Sequence, residues 1–408
     1  MATTVGREGR PVHGAISTAQ EERPVHGAIS TAQEGAPPRW GKVRSWLAKV
    51  FAVNPAGAHW PLGVALLDVM LVLLVVFSSI GHQQYLFSGL FGALYAALVD
   101  PGGSYGSRVL RIAGFGLIGA GVTALGFGIG GDAWGWLVLA ASAITLVASL
   151  MIMFGVHRFV SGFLLNIWFI VVLALSVGFH QHPHITNYTW AQTAAWAGGS
   201  ALWIAVTFVE WLVRGRRDRP PLVAELPGDT SRRPLTRPVI MFAVLRAAVM
   251  AGTVALAFGV PLSHGVWMPI AAIIAMKPSL EQSTIVAAQR LVGAGIGAGV
   301  AMLLLLIPAN EHGFKLLSIT HALEVVAIVF LMHAVAIRFW NYAQYTAAVA
   351  AAVLILLDLP QPSNYGAEGY RVLWTLCGVA IGVVVLLLAG LLAKRRSSAP
   401  PKPATQRA

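Results

Sequence analysis

Arg158 and Arg338 stand in two brief interruptions of apolar sequence, "VHR" and "AIR", 180 residues apart. A guanidinium holds a carboxylate through two parallel N–H···O bonds. Two such groups near membrane depth, facing one central pathway, would suit a small organic anion; the competing use of each is an anchor that snorkels to lipid phosphates. Arg111, Arg290 and Lys277 extend the basic set, the two arginines standing where helices begin and serving equally as orientation anchors. Charge inside a membrane is costly, so every such group points to function by default. Asp68 and Arg246 lie 178 residues apart with opposite signs and are expected to pair, as a structural ion pair or as a gating or proton-coupling one. Glu324, one helical turn beyond His321, is a second candidate for carrying a proton.

Other chemistries find no support. No nucleophile is accompanied by a base, and neither a Walker loop nor a zinc signature is present, so neither an enzyme nor an ATP-driven pump is expected, and no cofactor is implied. His180, His182 and His184 alternate in "HQHPHI", but no carboxylate or cysteine is near and Pro183 intervenes, so no metal site is expected. The lone Cys377 excludes an intrachain disulfide. "GFGLIG", Gly114 to Gly119, fits the letters of a dinucleotide-binding turn, which needs a strand before it and a βαβ unit around it. Here the run is inside an apolar segment, so Gly114, Gly116 and Gly119, with Gly293, Gly295 and Gly297 in a second copy, are expected to let membrane helices pack closely.

The elements that must position these residues are helices in a bilayer. Of 408 residues 57% are hydrophobic and 11% charged, and mean hydropathy is +0.71; a soluble domain carries about 25% charged residues. A span needs about 20 mostly apolar residues. Runs of that kind are Leu62–Ile80, Tyr85–Val99, Leu110–Ile129, Ala133–Phe154, Phe159–Val177 and Trp190–Val213, then Val239–Val260, Val266–Met276, Leu291–Ile307, Leu316–Ile337, Phe339–Leu357 and Tyr370–Leu392. Segments two and eight are short, which marks a transport site when it recurs at matched positions. Trp60, Trp134, Trp190, Trp211 and Trp267 lie near span ends as interfacial anchors. The net charge of +12 collects in alternate loops, which predicts both termini on the cytoplasmic side, with Lys315 and Arg371 as the exceptions. The charge is therefore a topology signal, and nucleic acid is not an expected partner.

The chain is written twice. "RIAGFGLIGAG" from Arg111 returns as "RLVGAGIGAG" from Arg290 after 179 residues, and Asp100-Pro101 is echoed by Lys277-Pro278 after 177. Trp196 and Trp374 are 178 apart. An even number of spans per copy makes the repeat parallel. The fold expected is all-α, a polytopic membrane bundle of about 12 transmembrane helices in two parallel six-helix modules, residues 59–213 and 239–393. A basic, Pro-rich linker (214–238) joins them. Residues 1–58 form a basic tail in which "RPVHGAISTAQE" occurs twice, too polar for a core, and residues 394–408 a second basic tail.

"HGVWMPIAAIIAMKPSLEQSTIVAAQRLVGAGIGAGVAML", His264 to Leu303, resembles the fusaric acid resistance-like membrane family: Trp267 opening a span, Pro278 in a polar loop, then Arg290, Gly293 and Gly297 entering the next helix. Tyr85 to Gly121 looks like a weaker copy. The resemblance implies export of aromatic acids or drugs, and plant relatives of similar design are organic-anion channels assembled as dimers. The long cytoplasmic domains of full-length exporters have no counterpart here. The expected protein is a cell-membrane exporter of small organic, aromatic, anions with its site between the modules. A passive anion channel and a non-transporting scaffold or lipid-binding protein are the alternatives, and monomer and homo-oligomer both remain open.

Overall fold

A computed structural model describes residues 39–179, 185–218, 232, 234–260, 262–277, 280–308, 313–359 and 366–397. The N-terminal repeat, most of the expected linker, the His180–His184 loop, Pro278 and the end of the C-terminal tail lie outside them. By contact the chain divides into two units, Met1–Arg44 and Ser45–Ala408. Every described element is helical: α1 (Arg39–Val50), α2 (Trp60–Ser79), α3 (Leu86–Val99), α4 (Tyr105–Ile129), α5 (Trp134–Leu150), α6 (Val156–Phe179), α7 (Ile185–Val213), α8 (Arg237–Gly259), α9 (Trp267–Ala275), α10 (Leu280–Leu305), α11 (Gly313–Ala336), α12 (Tyr342–Asp358) and α13 (Gly366–Ser397).

Among the described residues nine helices are long and apolar enough to cross a membrane. With no water in hydrocarbon, each backbone N–H and C=O must be paired within its own segment, which is why the apolar runs are helical throughout. The remaining expected spans are shorter helices: α3 has 14 residues, α9 has 9 and α12 has 17. α3 and α9 are the most completely covered, almost every side chain being buried. α3 lies against α7 and α9 against α13. Glycine makes the approach possible: a Cβ on Gly92 would stand 2.2 Å from the Trp196 carbonyl oxygen, and one on Gly378 2.1 Å from that of Met268. α5 packs on α8, and α2 on α11.

The largest core cluster contains stacked aromatics, with Trp168 and Trp196 rings 4.7 Å apart and Phe91 5.3 Å from Trp168. Both indoles are fully buried and satisfied, Trp168 Nε1 donating to the Thr123 hydroxyl and Trp196 Nε1 to the Gly116 carbonyl. Trp60, Trp134 and Trp190 are exposed as anchors should be, whereas Trp211 and Trp267 are half-buried. The break between the fourth and fifth spans is at Gly155, at φ +99°, a conformation that suits glycine alone. Arg158 therefore sits in the first turn of α6 and not in the break itself. The corresponding break before α12 ends at Asn341, whose side chain accepts from the Ala343 and Gln344 amides and caps the helix.

The glycine expectations divide. Gly116 lies against Ser200, Gly119 against the Trp196 ring, Gly293 against Thr346 and Gly297 against Ala347 and Ala350. Gly114 and Gly295 are exposed with nothing within 4 Å of an added Cβ. The 3.6-residue period turns them to the other side of their helices, so they do not serve packing within the chain.

Candidate functional site

Arg246 is in the interior of α8 on its buried stripe, with Ala243 and Met250. Its guanidinium carbon lies 5.3 Å from the Phe159 centroid, 5.6 Å from Phe163 and 5.4 Å from Phe242. One terminal nitrogen donates to the Ile273 carbonyl at 3.2 Å. That oxygen belongs to the last turn of α9, where carbonyls lack helical partners and a positive charge is favoured. Asp68, its expected partner, is exposed on α2 and has no hydrogen bond or ion pair among the described residues. The expected pair does not form, because Arg246 is held by an aromatic cage and a helix end instead.

Lys277 follows α9 directly, outside the spanning helices. The Ser283 hydroxyl fixes its backbone, accepting from the Lys277 amide at 3.0 Å and donating to its carbonyl. The ammonium lies 4.8 Å from the Phe163 centroid. Burial, then the Arg246 and Arg290 charges, push this lysine down to about 8. Arg290 is half-buried in α10 with its Nε unpartnered, close enough to Tyr95 and Tyr342 for its charge to reach both. Its helix is tied down by the neighbouring Gln289, which donates to the Val50 carbonyl at 2.9 Å. Arg246, Lys277 and Arg290 thus gather in one region without a carboxylate partner among the described residues. Cations come from α8 to α10; Phe159, Phe163 and Tyr95 come from α6 and α3.

Arg158 and Arg338 are not brought together as the sequence suggested. Arg158 is exposed, because the α6 face carrying Phe159 and Phe163 turns inward and leaves its neighbour outside. Arg338 is half-buried over the Phe339 ring and donates to the Leu98 carbonyl at 3.0 Å, capping α3 as Arg246 caps α9. Arg111 is exposed on α4. Glu324 is buried in α11 with Oε2 unpartnered. His321 does not hydrogen-bond to it: Nδ1 donates to Leu317 O at 2.8 Å, and Nε2 receives the Gln83 amide at 3.2 Å.

Asp100, the first-half echo of Lys277, is buried and bound on both oxygens by Arg108, Nε to Oδ1 at 2.7 Å and a terminal nitrogen to Oδ2 at 2.5 Å. The Gly102 amide adds a third bond. Arg371, an exception to the loop-charge rule, is likewise neutralised by Asp358 in a bidentate pair at 2.5 and 2.6 Å. Sequence reading missed both pairs and the aromatic cage. The cage had a signal: Phe159 and Phe163 are four apart in "HRFVSGF", one helical face.

The long apolar helices make the chain a multi-pass membrane protein. Residues 249–385, from within α8 to within α13, match the family described as fusaric acid resistance protein-like, so the second half carries a domain of that kind, as the His264–Leu303 stretch suggested. No curated protein and no solved structure matches the chain.

Proposed function

We propose that the chain exports small organic anions, aromatic carboxylates among them, across the cell membrane, with the anion bound at Arg246, Lys277 and Arg290. One observation carries this reading: three cations share a largely apolar interior with no carboxylate partner among the described residues. Leaving charge unneutralised in a low-dielectric setting is costly, and an incoming carboxylate removes that cost while pairing with an arginine through two bonds. Phe159, Phe163 and Phe242 offer flat faces to a substrate ring. They also hold the cations when no substrate is bound.

Two parallel six-helix modules, residues 59–213 and 239–393 with both termini cytoplasmic, frame the site in this reading. Its support is the reciprocal packing, α5 on α8 beside α11 on α2, and α3 on α7 beside α9 on α13. The short helices α3 and α9 end where the charges collect. The first-half loop holds its own carboxylate, Asp100 on Arg108; the second-half loop puts Lys277 in that place and takes an external one. Arg338 acts at α3's end, and Glu324 is the group in position to exchange a proton.

The test is efflux of a labelled aromatic carboxylate from proteoliposomes containing the full chain. Lys277→Gln with Arg290→Gln should lower efflux at least tenfold while membrane insertion is unchanged. Efflux equal to that of the unaltered chain overturns the site.

A further inference from the structure

Two helices beside the anion site leave a gap between them. α8 packs on α5 and α13 on α9, whereas α8 and α13 touch each other sparsely. Along the gap runs a groove of about 350 Å³, lined from Leu245 to Leu256 on α8 and by Ile381 and Val385 on α13. Small residues keep it open: Ala248 and Gly252, one turn apart, are exposed, and a Cβ on Gly252 would meet nothing within 4 Å. The Thr253 hydroxyl donates to the Val249 carbonyl of its own helix at 2.8 Å, so the wall it belongs to is apolar in effect.

The floor of the groove is α9. Val249 shares a buried cluster with Ala272 and Met276, and Leu245, Ile381 and Val385 pack against it. α9 and α13 run in the same direction, Gly378 against Met268 and Gly382 against Ala272. Continuing that register, Val385 and Leu245 stand level with Met276, the residue before Lys277. Arg246, next to Leu245, reaches the Ile273 carbonyl behind the same floor. The fully buried Met276 side chain thus separates an apolar groove from two of the three cations, and a thioether on three rotatable bonds can swing aside.

We propose that the groove is a lateral entrance, through which the anion site takes amphiphilic carboxylates out of the bilayer. The apolar part lies between α8 and α13, and the carboxylate passes Met276 to Lys277 and Arg246. This inference rests on the anion site proposed above and adds the route and the apolar half of the substrate. Charge complementarity selects the occupant: a carboxylate with an apolar tail suits the walls and neutralises the cations behind the floor. A phospholipid chain suits the walls alone, because its phosphate stays at the headgroup level. The groove's volume is in the range of drug-sized sites, about 300–1,000 Å³.

Efflux of two labelled carboxylates from proteoliposomes containing the full chain tests the entrance: benzoate, which stays in water, and para-octylbenzoate, which partitions into lipid. Gly252→Phe and Ala248→Phe fill the groove from exposed positions. Each should lower para-octylbenzoate efflux roughly tenfold and leave benzoate within about twofold. In a Cys377→Ser background, Gly252→Cys capped in the membrane with octyl methanethiosulfonate should show the same selective block. Dithiothreitol should reverse it, which excludes misfolding as the cause. Lys277→Gln with Arg290→Gln should lower both substrates alike, and that arm decides the anion site separately. Equal loss of both substrates on filling the groove overturns the entrance. Unchanged para-octylbenzoate efflux, the result for a groove that holds lipid, overturns it too. So does a disulfide-linked dimer of Gly252→Cys, which would make the groove a contact between copies.

Discussion

The Lys277 ammonium lies 4.8 Å from the centre of the Phe163 ring, and the Arg246 guanidinium is 5.6 Å from the same centre. Two cations sharing one ring repel each other. With burial, that repulsion and the Arg290 charge bring Lys277 down to about 8 from 10.5. An anion prefers the ammonium, so binding should be full below about 8 and decline as pH rises through it. Folding follows the opposite sign. Between about 8 and the unfolded value the unfolded chain holds the extra proton, so stability rises with pH there, and the loss of binding is not unfolding. An aromatic carboxylate ionised throughout, titrated in proteoliposomes, should show this limb. Lys277→Arg should remove it, and Lys277→Gln should give weak, flat binding.

Phe163→Leu keeps an apolar side chain but deletes the negative ring face. A cation over an aromatic ring gains about 0.5–2 kcal/mol, so the charged form of Lys277 is less favoured without it. The pH limb should move downward and aromatic anions should lose more affinity than aliphatic ones of equal charge. Equal losses for both, measured by competition, would leave Phe163 as mere filling.

Asp100 and Arg108 form a pair that has no equivalent around Lys277 among the described residues. Both are buried, at 3% exposure each. Removing one partner of a buried pair costs about 3–5 kcal/mol, because the survivor stays charged and unpaired. Asp100→Asn should therefore lower the thermal unfolding midpoint in detergent sharply. Asp100→Asn combined with Arg108→Met should recover most of it, since no charge then remains buried.

The helices could be read directly, and the site could not, for one physical reason. Apolar run length reports the bilayer, which every span meets alike, so α6, Val156–Phe179, falls on the expected Phe159–Val177. Even α9, with 9 residues, coincides with the short eighth segment. Which face of a helix turns inward depends on neighbours far away in sequence. Arg158 and Phe159 are adjacent, yet one is exposed and the other buried. Asp68 and Arg246 looked like partners because the repeat aligns them, but α2 packs on α11 while α8 packs on α5, with Arg246 turned to the Phe159 and Phe163 rings of α6. Lys277 and Arg290 were picked out by position in the repeat, and the aromatic company they keep arises only when α6 and α3 close over them.

Gly295 and Gly297 separate the two roles of a membrane glycine within one helix turn. A Cβ on Gly297 would meet the Ala347 carbonyl oxygen and the Ala350 methyl, both at 2.6 Å, which forces α10 away from α12. One on Gly295 would meet nothing within 4 Å. Alanine is favoured over glycine in a helix by about 1 kcal/mol, and that term acts alone at Gly295. Gly295→Ala should leave the unfolding midpoint unchanged or slightly raised, and Gly297→Ala should lower it by several degrees. Because Arg290 is carried on the same helix, the Gly297 variant should also weaken anion binding while the Gly295 variant leaves it intact. If both alanines behave alike in melting and in binding, α10 does not sit against α12 as described.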